Sequence, residues 1–168
     1  MIPNVIRNGI FWEGDIELKE WNKFYEKTLN VKLNVGGDCI VDEVTAVHKE
    51  GYNYLISNQA GLLQTVIHVI FEKYSKWQQE YDYEEDERER LMPDISSALE
   101  LKRLIIPSKI FIMDVEKRGF PFLGFQFECN WDEEHGVGVM VYKNRVVRIG
   151  NSDTAFMSWV AQEDTENI

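Results

Sequence analysis

The sequence predicts an α+β fold: an N-terminal β segment, central helices, and a C-terminal antiparallel β-meander packed on those helices. Two changes of pattern predict it. Apolar residues alternate with polar ones near the N-terminus and again beyond residue 109, whereas between residues 42 and 80 they recur every three or four positions. In addition, no repeat and no Gly/Ser- or Pro-rich linker divides the 168 residues, so 1–168 is expected to form a single domain.

Taken in order, Asp15 to Lys19 and Asn30 to Val35 each alternate apolar and polar residues, the mark of half-buried strands, and Gly36-Gly37 ends the second. From Asp42, a plausible N-cap, Val44, Val47, His48, Gly51 and Leu55 fall on one helical face. Asn58 is expected to cap a longer helix, whose stripe of Leu63, Val66, Ile67, Ile70, Tyr74 and Trp77 should bury against the meander. Residues 80–90, EYDYEEDERER, carry seven acids against two arginines and read as a helix end or solvated loop. Pro93-Asp94 opens a short helix to about Leu104, and Pro107 closes it.

Beyond it, Lys109 to Val115 reads as a strand. In Phe125 to Asp132 the alternation is strict, with Phe125, Phe127, Cys129 and Trp131 on one face. Val137, Val139 and Val141 mark the next strand, and Lys143-Asn144 turns it into Arg145 to Ile149. Such a meander is expected to have one wet face. Thr154 to Ala161 forms a last short helix, with Phe156 and Trp159 as its anchors.

The charge bounds the function. A formal net charge of −11 repels phosphate backbones and anionic lipid, so neither nucleic acid nor a membrane is an expected partner. It suits a basic protein partner, or simply solubility. No apolar run approaches the ~20 residues that span a bilayer. The N-terminus lacks the basic and apolar regions of a signal peptide, so a cytoplasmic location is expected, with Cys39 and Cys129 as free thiols.

Two patches concentrate ionisable groups. One is the acidic segment, where Glu84, Glu85, Asp86 and Glu87 are the candidate protein-binding residues. The other is Trp131 to Gly136, WDEEHG, where Asp132, Glu134 and His135 are the candidate metal ligands. Their spacing matches no zinc framework, and a turn requires polar residues and a glycine for geometric reasons alone. A structural turn, a binding surface and a metal site therefore all remain open there. His48 reads as a hydrogen-bonded core histidine and His68 as a surface residue, neither oriented as a base by a carboxylate on its own helix. No serine stands in a GxSxG setting, and Gly136-Val137-Gly138 precedes no helix, so no catalytic set and no cofactor is implied.

The stretch FQFECNWDEEHGVGVMVYKNRVVRIGNSDTAF, residues 125–156, resembles the signature of a family of small bacterial proteins to which no function is assigned. That pattern runs Phe-x-Cys-x-Trp-Asp-x-Glu-His-Gly-x-Gly-Val, then Arg-Val-Val-x-x-Gly, then Asp-x-Ala-Phe, here Phe127 to Val139, Arg145 to Gly150 and Asp153 to Phe156. The helical middle resembles the family in outline and the N-terminal segment hardly at all. The resemblance implies a fold class and makes the Trp131–Gly136 turn a family hallmark, with Asp132 or Glu134 expected to pair with Arg145 or Arg148. Three functions follow as expectations: a non-enzymatic protein-binding module, an immunity or toxin-neutralising protein being one form of it by analogy of size and charge; a metal-dependent enzyme using Asp132, Glu134 and His135; and an accessory domain of a larger assembly.

Overall fold

Seven strands lie side by side in the order in which the chain makes them: β1 (Ile6–Asn8), β2 (Phe11–Ile16), β3 (Val31–Gly36), β4 (Ile105–Lys117), β5 (Phe120–Cys129), β6 (Val137–Tyr142) and β7 (Arg145–Gly150). The structure is a computed structural model and describes residues 1–167. Every neighbouring pair is antiparallel except β3 and β4, which run parallel. A parallel pair needs a crossover connection, and the helices α2 (Ala46–Ser57), α3 (Gln59–Tyr81) and α4 (Glu85–Leu91) supply it. The fold is α+β, as the patterning predicts.

One face of the sheet carries the main core. In α3, Leu62, Leu63, Val66, Ile67, Ile70 and Tyr74 are buried, so the predicted stripe holds as far as Tyr74, is widened by Leu62, and ends in a half-buried Trp77. Cys129, Trp131, Val137, Val139 and Val141 belong to the same apolar cluster. The N-terminal segment contains a helix that the strand pattern conceals. Ile16 and Leu18 are both buried, but β2 stops at Ile16, and Leu18 is the N-cap of α1 (Lys19–Tyr25), whose inner face is Trp21 and Tyr25. Burial of residues two apart fits a strand, yet 18, 21 and 25 are spaced as a helix. Trp21 is fully buried, stacks on Phe125 at 5.5 Å and Phe127 at 6.2 Å, and donates its indole N–H to the Gln59 carbonyl at 2.8 Å. That bond satisfies the one polar atom of the ring.

Caps differ from the expected ones. Thr45, not Asp42, caps α2, in a reciprocal box with His48: the Thr45 N–H donates to His48 Nδ1 at 3.0 Å, and Thr45 Oγ1 accepts the His48 N–H. A backbone N–H can only donate, so Nδ1 is an acceptor and Nε2 carries the ring proton, placed 2.8 Å from Asp114 Oδ1. Asn58 occupies the N-cap position of α3 as expected, but its side chain makes no capping bond there; it donates backwards to the Tyr54 carbonyl and closes α2. The short helix expected from Pro93 is a 3-10 helix over Ala98–Arg103, boxed by Ser97 and Glu100. Pro107 lies inside β4, not before it, next to a register shift between Pro107 and Lys109 that spares the strand the missing N–H.

The second face of the sheet is not simply wet. A 3-10 helix (Ser152–Ala155) and α5 (Ser158–Thr165) lie across it and bury Phe111, Met113, Phe122 and Met140 with Val160 and Ala161. Two glycines admit this close approach. A Cβ on Gly124 would sit 1.6 Å from the Ala155 carbonyl oxygen, and one on Gly138 would sit 2.4 Å from that of Asn151. Trp159, an expected anchor, is 48% exposed with the Arg148 guanidinium 4.9 Å from its ring centroid; Phe156 is half-buried against Phe111. Asp164 secures α5 instead, accepting two bonds from Arg145 at 3.1 and 2.7 Å and one from Lys117 at 3.3 Å. Among the described residues no helix is long and apolar enough to cross a membrane.

Candidate functional site

The two patches singled out by sequence meet at one corner of the molecule. Helix α3 ends at Tyr81, and Asp82 takes a left-handed conformation (φ 46°) that turns the chain away. Tyr83 then stacks on Tyr81, ring centroids 5.8 Å apart, before α4 begins. The expected loop is thus half helix: Glu85 to Leu91 form α4, with Glu85, Asp86 and Glu87 in its first turn, where the positive end of the helix dipole favours acids. Glu84 precedes it as the N-cap, and all four carboxylates are exposed.

Both tyrosines reach the Trp131–Gly136 turn. The Tyr83 hydroxyl donates to the Trp131 carbonyl and the Tyr81 hydroxyl to Asp132 Oδ2, each at 2.5 Å. Trp131, 3% exposed, shares the core with Phe127 as its strand face predicts; it rests edge-on against Tyr74, with Trp77 tilted beside it, so the indole anchors the turn to α3. Asp132 Oδ1 accepts the His135 N–H at 3.0 Å and lies 3.0 Å from His135 Nδ1. Burial alone would raise this carboxyl; the Tyr81 hydroxyl and the His135 backbone and ring outweigh it and hold Asp132 below the usual carboxylate range. Burial, then the bond to Asp132, pushes the Tyr81 phenol far above its ordinary value. Asp132 is therefore an acceptor already engaged by three donors, which suits an orienting group better than a free base.

The arrangement departs from the expected pairings. Asp132 and Glu134 do not meet Arg145 or Arg148, which pair with Asp164 and Glu163 on α5. Asp132 and His135 come together while Glu134 stays exposed, and among the described residues no group of three His, Cys, Asp or Glu side chains is placed to hold a metal ion. Cys129 is buried beneath the turn, where burial pushes its thiol up to about 11. His68 does have a carboxylate on its own helix, Glu72 at 2.8 Å, though both side chains are exposed. The residues of this corner that sequence reasoning passed over are Tyr81 and Tyr83. The available signal was two aromatics spaced by one residue inside an acidic run, with no apolar neighbours to bury them.

Tyr81, Tyr83, Leu91 and the turn enclose an open hollow of about 480 Å³, rimmed by Asp132, Glu133 and Glu134. Around it lies the acidic segment. A family model described as "Domain of unknown function (DUF6985)" matches residues 11–157. The chain belongs to the DUF6985 family. The DUF6985 match reaches back through α1 to β2, so the likeness is not confined to the C-terminal third, and it stops just short of α5. No curated protein and no solved structure matches the chain.

Proposed function

We propose that this chain is a non-enzymatic, cytoplasmic protein-binding module that takes a basic protein partner on its acidic corner. An immunity or toxin-neutralising role is the form of it that size and charge fit best. The observation that carries the reading is the union of the two patches: exposed carboxylates of Glu84 to Glu87 and the Trp131–Gly136 turn flank one stacked tyrosine pair. Tyrosines are enriched where proteins bind one another, because they combine a large apolar area with few rotatable bonds. Here their hydroxyls are fixed internally, which holds the rings in place before any partner arrives and lowers the ordering cost of binding.

Electrostatic steering gives the test. The products of neighbouring genes are the partners to assay, by stopped-flow or biosensor association. The association rate should fall steeply as salt rises, because exposed charges are screened over ~8–10 Å at physiological ionic strength. Replacing Glu84, Glu85, Asp86 and Glu87 by Gln should slow association about tenfold or more at low salt and leave the fold intact. An unchanged rate would return the segment to a solvated surface. Metal analysis of the purified chain tests the enzyme reading: one equivalent of zinc, manganese or nickel lost in His135→Ala would replace the binding module with a metal centre.

A further inference from the structure

The tip of the β1–β2 hairpin carries the pair Asn8-Gly9. Asn8 is the last residue of β1 and pairs with Phe11, so Gly9 and Ile10 alone make the turn. Gly9 has a left-handed φ of 67°, and beyond its chain neighbours nothing lies within 4 Å of the place a Cβ would take. Asn8, Gly9 and Ile10 are all exposed. Arg7 holds the turn, its Nε donating to the Gly9 carbonyl at 3.1 Å. That bond leaves the Gly9 nitrogen untouched. Among the described residues, neither the Gly9 N–H nor the Asn8 side-chain amide makes a hydrogen bond.

An asparagine carboxamide is an electrophile one ring closure away from the nitrogen of the next residue, and asparagine is thermolabile for that reason. A side chain on the next residue hinders the approach; glycine has none. The step balances with water alone. The Gly9 nitrogen loses its proton to hydroxide and bonds to Asn8 Cγ, the Cγ–Nδ2 bond breaks, and the leaving nitrogen takes a proton from water as ammonia. Water then opens the cyclic imide at either carbonyl, leaving an aspartate or an isoaspartate whose main chain runs through the former side chain. The other asparagines show how the fold limits this reaction. Asn151 also precedes a small residue, Ser152, but the Ser152 N–H donates to the His135 carbonyl at 2.7 Å and the Asn151 carbonyl accepts the Thr154 N–H at 3.0 Å. Both halves of that pair are tied down. Every remaining asparagine precedes a large side chain.

We propose that Asn8 is a self-modifying site: it deamidates through the Gly9 nitrogen, adds a negative charge to a chain already at −11, and as isoaspartate shifts the edge of the sheet. The isoaspartate lengthens the main chain at a turn whose length fixes the register of its strands. The pairs Ile6↔Glu13, Arg7↔Trp12 and Asn8↔Phe11 then cannot all be kept, and β2 becomes the outer strand. Ile2 and Val5 are buried, so the residues before β1 stay anchored.

The experiment incubates the whole chain at mildly alkaline pH and physiological temperature and then digests it with trypsin, which releases residues 8–19 as one peptide. Mass spectrometry should find the deamidation mass gain in that peptide well before any at Asn151, and isoelectric focusing should show a more acidic form growing in step. The conversion should quicken as pH rises, because the attacking nitrogen must lose its proton. Asn8→Gln, an exposed change whose folding a thermal melt verifies, should lose the acidic form, since its longer side chain closes a less favourable ring. In denatured wild type Asn151 should convert as well, its hydrogen bonds being gone. A peptide 8–19 that stays unmodified in the folded chain, or equal conversion of Asn8 and Asn151 there, overturns the site. Amide exchange on the separated isoaspartate form judges the edge: lost protection at Arg7 and Trp12 supports the shift, and protection equal to the unmodified chain overturns it.

Discussion

At the scale of single residues, burial and hydrogen bonding sort the ionisable groups into those that hold the fold and those that face outward. Trp131→Ala should destabilise the protein by about 3–5 kcal/mol, because it removes a buried ring and leaves a cavity under Tyr74 and Trp77. His135→Ala loses one exposed partner of Asp132 and should cost well under that, ~0.2–1 kcal/mol, both read from urea melts. Asp164 is the carboxylate whose titration should be felt most. The Arg145 bonds, against the opposing effect of burial and with help from Lys117, hold its pKa below the ordinary carboxylate value. A depressed folded pKa contributes stability that is full above the unfolded value of ~3.9 and is lost as pH falls through the folded one. Asp164→Asn should therefore flatten the fall in melting temperature that wild type shows below about pH 4. An equally steep acid limb in the variant would place the titrating group elsewhere. Residue-scale features were readable where burial follows from a residue's place in its own pattern, as for Trp131 on the face of Phe125, Phe127 and Cys129 and for His48 on the inner stripe of α2. They were unreadable where the partner is remote: nothing in Arg145 or Arg148 betrays that their carboxylates come from α5 and not from the adjoining turn.

At the scale of elements, periodicity located α3 and the strands from β4 to β7, because each is long enough for its pattern to repeat several times. It failed for α1, only seven residues long, whose helical spacing continues in phase from the strand before it. It also missed the half-helical nature of residues 80–90, where tertiary bonds from Tyr81 and Tyr83 fix a segment with almost no apolar residue of its own. The pair of glycines beneath the 152–155 helix makes an element-scale prediction. Gly124→Ala drives a methyl group into the Ala155 carbonyl, and backbone cannot give way as a side chain would. It should cost about 1–3 kcal/mol as overpacking and loosen the C-terminal segment. Binding of a hydrophobic dye to the uncovered Phe122 and Met140 at temperatures below the main transition would report that loosening. Protection equal to wild type would show that the segment shifts as a whole without releasing the sheet.

At the scale of the whole molecule, the charge distribution sets both stability and partner choice. Self-repulsion among the excess acids should make the melting temperature rise between very low salt and ~0.15 M, where charges beyond about 8 Å are screened. The Glu84–Glu87 replacements should reproduce part of that rise at low salt; a melting temperature insensitive to salt would show that paired cations already neutralise the surface. Composition made this much legible, but it could not show that the acids of residues 84–87 and of the Trp131–Gly136 turn gather at one corner, since that depends on which loops the sheet brings together. The parallel junction of β3 with β4 has a further consequence, in time instead of space. Lys32 to Gly36 must wait for Lys109 to Met113, which the chain makes only after three helices, whereas β4 to β7 pair as consecutive hairpins. Closing so long a loop is entropically slow, so the C-terminal hairpins should form early and the junction late in refolding. On the ribosome, β3 emerges with Leu33 and Val35 lacking their neighbour strand, and for that interval the nascent chain presents a bare sheet edge that a chaperone, or another copy of itself, can reach first.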